Sequence, residues 1–193
     1  MTATAYARVL QLFGIQRVIE LIYSKRNERA IRERQPRVRE AGGSVFGGIA
    51  LVNLALFTLP LIERWHRRRP PPQWVAAFGW LTALSAVCLR LSVLLTLREA
   101  WNVRALVPND LRVIDRGPYR FIRHPNYVAL ALEFLGLPLI GGSYLSAAGL
   151  GVANALLLSE RIREEEALLM TIPAYRERMG DKPRFIPRLV TSR

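Results

Sequence analysis

Two short segments of this chain concentrate side chains able to hold small charged molecules. Residues 116–127, RGPYRFIRHPNY, offer arginines, Tyr119, Tyr127, Asn126 and a histidine, His124, set directly ahead of Pro125. Residues 160–169, ERIREEEALL, add Arg161 and a run of glutamates that includes Glu165. Guanidinium groups pair with anionic oxygens, carboxylates accept from hydroxyl and amino donors, and imidazole can do either. Taken singly, each residue also has a plainer reading: arginine as a phosphate anchor, tyrosine in an aromatic belt, glutamate in a solvated turn. A histidine whose backbone is set by a following proline at the start of a helix has an orientation that anchoring does not need.

The elements that must position these residues are apolar. Hydrophobic residues make up 51% of the 193, and mean hydropathy is +0.14, yet the net charge is +13. All the positive residues except Lys25 and Lys182 are arginine. This apolar content excludes disorder, and a single cysteine, Cys88, excludes a disulfide scaffold and is expected to pack inside. Because the arginines bracket apolar runs instead of forming one basic face, no nucleic-acid partner is expected. No cleavable signal peptide is expected either, since residues 1–23 carry Arg8, Arg17 and Glu20.

Residues 44–65 and 73–97 are each long and apolar enough to cross a bilayer core of roughly 30 Å. A third apolar block, 127–159, is broken at Gly141, Gly142 and Ser143, which predicts a tight helical hairpin bent near the far membrane face. Residues 1–23 read either as a first span or as an interfacial helix. Segments 24–42, 98–126 and 161–193 hold seven, six and eight positive residues, against Arg64, Arg67, Arg68 and Arg69 on the other side. By the positive-inside rule the three rich segments are cytoplasmic, as two loops and a C-terminal tail, in a bacterial inner membrane. The expectation is an all-α integral membrane bundle of about five embedded helices, a single domain whose hairpin, 127–160, brings the two chemical segments together. Arg90 and Glu133 lie inside apolar runs, so they are expected to pair or to line a lipid-substrate tunnel. Glu20 and Asn27 are candidates to border the same cavity, and Asn154 is expected to make a helix–helix hydrogen bond. No dinucleotide, phosphate-loop or metal-ligand motif is present, and no metal is expected.

GPYRFIRHPNY, followed by a hairpin and then by Arg161, Ile162, Glu165, Glu166 and Leu169 in the order R-I-x-x-E-E-x-x-L, resembles the isoprenylcysteine carboxyl methyltransferase family of integral membrane methyltransferases. The similarity is strongest over residues 111–187. The stretch QRVIELIYSKRNER and the ending KPRFIPRL also resemble a bacterial branch found with alkylpyrone-making polyketide synthases. The resemblance implies S-adenosylmethionine as cofactor, bound by His124, Pro125, Asn126, Tyr127 and Tyr119. It extends cofactor contact to Leu111, Arg112, Val113 and Ile114, although Leu111 stands where eukaryotic members have histidine. It places Arg161 at the acceptor, as the catalytic and substrate-orienting cation, and Glu165 at the cofactor.

Methyl transfer from a sulfonium to an anionic oxygen neutralises charge, so aligned reactants and exclusion of water suffice, without a metal or a strong base. His124 is then a cofactor ligand and a cap of its helix. The expected acceptor is lipophilic, either an isoprenylcysteine-like carboxylate or an alkylpyrone-like hydroxyl, and the expected partners are membrane lipids. Three rival readings remain: a phospholipid N-methyltransferase, a sterol-reductase-like membrane enzyme, and a non-enzymatic lipid-binding scaffold.

Overall fold

The computed structural model describes residues 1–35, 37–41, 43–108 and 111–188. They form six α-helices: α1 (Ala3–Arg34), α2 (Phe46–Arg67), α3 (Gln73–Leu97), α4 (Pro125–Gly141), α5 (Tyr144–Leu169) and α6 (Pro173–Met179). Strands β1 (Arg39–Glu40) and β2 (Leu106–Val107) pair antiparallel, Arg39 opposite Val107. The protein is thus mostly helical, and α2 and α3 are long and apolar enough to cross a membrane. Helix α4 is equally apolar but only 17 residues long.

One end of the bundle is closed by capping. Gly142 adopts φ +75°, a left-handed conformation glycine reaches without strain, and turns α4 into α5. Ser143 Oγ donates to the Pro60 carbonyl at 2.6 Å. Glu63 of α2 accepts from the backbone N–H groups of Leu145 (3.1 Å) and Ser146 (2.7 Å), supplying the first turn of α5 with a carboxylate cap. Arg64 binds the Arg69 and Met1 carbonyls, which brings the start of α1 to this end.

Helices α3 and α4 cross with backbone against backbone. A methyl group on Gly79 would lie 2.6 Å from the Ile140 nitrogen, and one on Gly136 2.6 Å from the Ala83 nitrogen. Such small-residue contact is how helices associate where water supplies no driving force. The main core, including Leu56, Ala83, Phe134, Leu137 and Ile140, fills the space around this crossing. Tyr6 of α1 joins it and donates its hydroxyl to the Leu137 carbonyl at 3.0 Å.

Helix α1 runs the full height of the bundle. It begins beside Arg64 and reaches the Arg98 and Trp101 carbonyls through Asn27 at the other end. It also continues to Arg34, so the expected loop beginning at residue 24 is helical for its first eleven residues. The reason lies in composition: residues 24–34 hold good helix formers and no glycine, and proline follows only at position 36. Helix α5 likewise extends past the apolar stretch to Leu169, and α6 occupies part of the expected tail. Cys88 is exposed on the outer face of α3, contrary to the expectation that it packs inside. In a bilayer an apolar outer face needs no burial by protein.

Candidate active site

The site lies at the open end, where α5 and α6 and the segment between α3 and α4 converge. Pro125 opens α4 at its first turn, where a missing N–H costs nothing, and this fixes His124 one residue before the helix. On α5, Arg161 and Glu165 are one turn apart and therefore share a face. Tyr127 links them, because its hydroxyl donates to Glu165 Oε2 and accepts from Arg161 Nε at 2.8 Å. A second guanidinium nitrogen of Arg161 donates to the Val103 carbonyl. Arg161 is buried and fully oriented by these partners.

Beside this trio, Glu166 gathers a second cluster. Its Oε1 lies 2.8 Å from His124 Nε2 and 3.3 Å from Arg123, and its Oε2 accepts from Arg184 at 2.6 Å. The backbone completes the clamp: Arg123 N–H donates to the Pro183 carbonyl (2.9 Å) and His124 N–H to the Arg184 carbonyl (3.0 Å). Lys182 Nζ donates to the Tyr119 carbonyl at 2.9 Å. Residues 182–184 are therefore a strap holding the His-Pro turn. Burial raises the Glu166 carboxyl, but the bonds from Arg184 and His124 and the nearby Arg123 outweigh it and hold it below the usual range. The His124 side chain does not cap α4 as expected, since its Nε2 is engaged by Glu166.

A cavity of about 960 Å³ runs from this cluster into the bundle. Its polar end is walled by Leu111, Arg112, Val113, Ile114, Tyr119, His124, Asn126, Tyr127, Arg161 and Glu165. Burial, reinforced by the Glu165 carboxylate, pushes the Tyr119 and Tyr175 hydroxyls far above their usual range, so both remain protonated donors. A small second core, with Val107, Leu169, Tyr175 and Met179 buried, supports this end. The other arm is apolar and lies between α1 and α2, lined by residues such as Ile15, Val18, Ile49, Leu54 and Phe57.

Between the two ends sits a charged network. Arg90 donates to Asn126 Oδ1 at 2.9 Å and to Glu133 Oε2 at 3.2 Å, and Arg17 of α1 binds both Glu20 (2.9 Å) and Glu133 (2.5 Å). The expected pairing of Arg90 with Glu133 is present, and Arg90 and Glu20 line the cavity. Glu133 does not line it, because two arginines occupy its carboxylate behind the wall. Pro125, fully buried, is also off the wall, as is Asn27, whose amide is spent on the Arg98 and Trp101 carbonyls. Asn154 is buried, but no helix–helix hydrogen bond from it is found among the described residues. Among those residues there is no cluster of three or more His, Cys, Asp or Glu suited to a metal.

Sequence reasoning missed Arg17, Arg123, Arg184 and the role of Glu166. Only the adjacency of Glu166 to Glu165 hinted at it; Arg123 and Arg184 were indistinguishable from boundary arginines, and Arg17 read only as a charge within the ambiguous first helix.

Comparison with known proteins accords with this geometry. The model of the isoprenylcysteine carboxyl methyltransferase (ICMT) family matches residues 79–171, which hold most of α3, the His-Pro turn, the hairpin and the Arg161–Glu166 stretch. Uncharacterized protein YpbQ of Bacillus subtilis (strain 168) is 30% identical over 165 residues, covering 83% of this chain and 94% of that protein. Cobalt-zinc-cadmium resistance protein CzcN of Cupriavidus metallidurans is 37% identical over 78 residues, 40% of this chain and 36% of that protein. Nickel-cobalt-cadmium resistance protein NccN of Alcaligenes xylosoxydans xylosoxydans is 36% identical over 78 residues, 40% of this chain and 37% of that protein. With the family match falling on the elements that wall the cavity's polar end, and a relative aligned over nearly its whole length, the chain belongs to the isoprenylcysteine carboxyl methyltransferase family of membrane methyltransferases.

Proposed function

We propose that this protein transfers a methyl group from S-adenosylmethionine to an anionic oxygen of a lipophilic acceptor. The observation that carries the reading is one continuous cavity with a carboxylate- and tyrosine-lined end and an apolar arm between α1 and α2. At about 960 Å³ it lies at the upper end of the roughly 300–1,000 Å³ of small-molecule sites, with room for two ligands end to end.

The polar end suits a sulfonium cofactor. Glu165 provides an anion, and Tyr119, Tyr127 and Tyr175 surround it with aromatic rings and hydroxyl donors. When bound, S-adenosylmethionine supplies the electrophilic methyl group. Glu165 accepts from cofactor donors, and Leu111, Arg112, Val113, Ile114, His124 and Asn126 complete the wall. Arg161, already oriented by Tyr127 and Val103, presents its charge to the acceptor oxygen and aligns it without taking a proton. Arg161 and Glu165 balance each other, so a cation and an anion enter together without leaving a net buried charge. Arg90 holds Asn126 on the cofactor side, and Glu133 holds Arg90.

The apolar arm takes the acceptor's chain from the bilayer. In this reading α1 and the α4–α5 hairpin join α2 and α3 in the membrane as about five embedded helices, and the arginine-rich open end faces the cytoplasm. The acceptor is a small lipid acid or enol of the alkylpyrone type in preference to a prenylated cysteine, because QRVIELIYSKRNER and KPRFIPRL resemble that bacterial branch.

The test is transfer of labelled methyl from S-adenosylmethionine into a total lipid extract of the source organism, with Glu165→Ala in parallel. Label in an extractable lipid that drops at least about 100-fold in the variant, in line with loss of a positioning contact, supports the reading. Absence of S-adenosylmethionine binding by the purified wild-type protein rejects it.

A further inference from the structure

The outer face of α3 carries a second groove, separate from the cavity. Leu91, Leu95, Thr96, Arg98, Arg116 and Gly117 line about 570 Å³ of it. Leu91 and Leu95 are exposed along the helix, and the two arginines stand at its loop end. A smaller recess of about 370 Å³ shares Thr96, Arg98 and Arg116 and reaches Arg112, Val113 and Ile114, which also wall the main cavity.

We propose that this groove binds an anionic phospholipid, with its phosphate between Arg98 and Arg116 and an acyl chain along Leu91 and Leu95. Three observations carry the assignment. First, neither guanidinium has a carboxylate or hydrogen-bond partner among the described residues, and Asp115, next to Arg116 in sequence, is already paired with Arg178 at 3.8 Å. Two uncompensated cations at one mouth select a headgroup with net negative charge over a zwitterion.

Second, the backbone carrying both arginines is held in place. Arg98 sits at the end of α3 with φ +50°, a backbone conformation uncommon for a residue with a Cβ. That turn is fixed from α1 by Asn27, which donates to the Arg98 carbonyl at 3.0 Å and the Trp101 carbonyl at 2.7 Å. Gly117 is pressed against Thr96 so closely that any Cβ would collide with the threonine hydroxyl, which pins Arg116 beside α3. Third, the groove is apolar along the helix and cationic at the loop end, the polarity profile of a phospholipid at a leaflet surface.

The position gives such a lipid a consequence. Gly117 opens the short turn Gly117–Arg120 that carries Tyr119 into the cavity, so a bound headgroup would brace the cofactor side of the site from outside. The inference requires only that α3 lie in a membrane; it does not depend on which acceptor is methylated, or on methylation at all.

The experiment is lipid retention by native mass spectrometry, with thermal unfolding in parallel, of protein exchanged into phosphatidylcholine vesicles with or without phosphatidylglycerol. Wild-type protein should retain phosphatidylglycerol and unfold at a higher temperature in its presence. Arg98→Gln with Arg116→Gln should weaken retention about tenfold, since an arginine near the surface contributes several-fold to anionic lipid binding. Arg26→Gln with Arg29→Gln, two exposed arginines of α1, removes the same charge away from the groove and should leave retention near the wild-type level. Equal loss in both double variants, or no preference of wild type for phosphatidylglycerol, overturns the proposal. Equal stabilisation by inorganic phosphate in pure phosphatidylcholine also overturns it, because the ligand would then be a free anion. The wild-type comparison needs no variant, so a misfolded double variant leaves the test intact.

Discussion

The two sides of the bundle are built to opposite specifications. At the α3–α4 crossing, Gly79, Ala83 and Gly136 let backbones touch, and no side chain larger than a hydrogen fits at either glycine. On the α1–α2 side, Gly14 is 3.9 Å from Phe57 with a methyl in place, Gly47 has open space, and the cavity's apolar arm lies between the helices. The close crossing fixes Arg90 of α3 relative to Asn126 and Glu133 of α4, the registry on which the polar end depends. The loose side holds the apolar arm that we propose receives the acceptor. Close packing and the open arm are thus separated in space, so one does not compromise the other.

This contrast can be broken most severely at the crossing. Gly136→Leu drives a side chain into the Ala83 backbone and should cost about 3 kcal/mol or more, seen as loss of a monodisperse peak and of cooperative unfolding in detergent. Gly14→Leu should leave that unfolding unchanged. Next in size is the network joining the two sides. Arg90→Leu leaves Glu133 with Arg17 alone and frees Asn126, and removing one partner of a buried pair costs about 3–5 kcal/mol. The thermal midpoint should fall, and S-adenosylmethionine affinity should fall with it; a variant with wild-type stability would show the network to be ornamental.

A smaller effect is expected at the strap. Folding holds the Glu166 carboxyl below its ordinary range, so the clamp contributes fully at pH above that range and weakens as pH falls through the lowered value. Protection of residues 180–188 against hydrogen exchange, taken relative to the intrinsic rate at each pH, should therefore fall between about pH 5 and 3, and Glu166→Gln should be weakly protected at every pH and lose the acid dependence. The smallest effect sharpens the loose side: Gly14→Leu intrudes on the cavity wall and should raise KM for long-chain acceptors several-fold, by loss of about 1 kcal/mol of apolar contact, with kcat unchanged.

Much of this was legible from residue order. Helix α3 begins and ends at the residues that bound its apolar run, and the hairpin bend falls on the Gly-Gly-Ser break, because apolar length and glycine are local signals. His124, Tyr127, Arg161 and Glu165 were identified by motif, and the hairpin brings them onto one cavity wall. Helix α1 was ambiguous because Arg17 and Glu20 dilute its apolar face. They pair with each other one turn apart, but each also meets a partner on a helix more than sixty residues away, Glu133 and Arg90 respectively, which no local pattern encodes.

Sequence by itself determined the helical membrane architecture, the family, and the two motifs that face the cavity, because hydropathy, breaker residues and motif spacing all act within a few turns of chain. Tertiary structure alone decided which charges meet: that Glu166 holds His124 and the C-terminal strap while Glu165 meets Tyr127, that Glu133 sits behind the wall while Arg90 lines it, and that Cys88 faces outward. Adjacent glutamates on a helix point about 100° apart, and only the packing of α5 against α4 and the returning C-terminal strap settles which of them meets which partner.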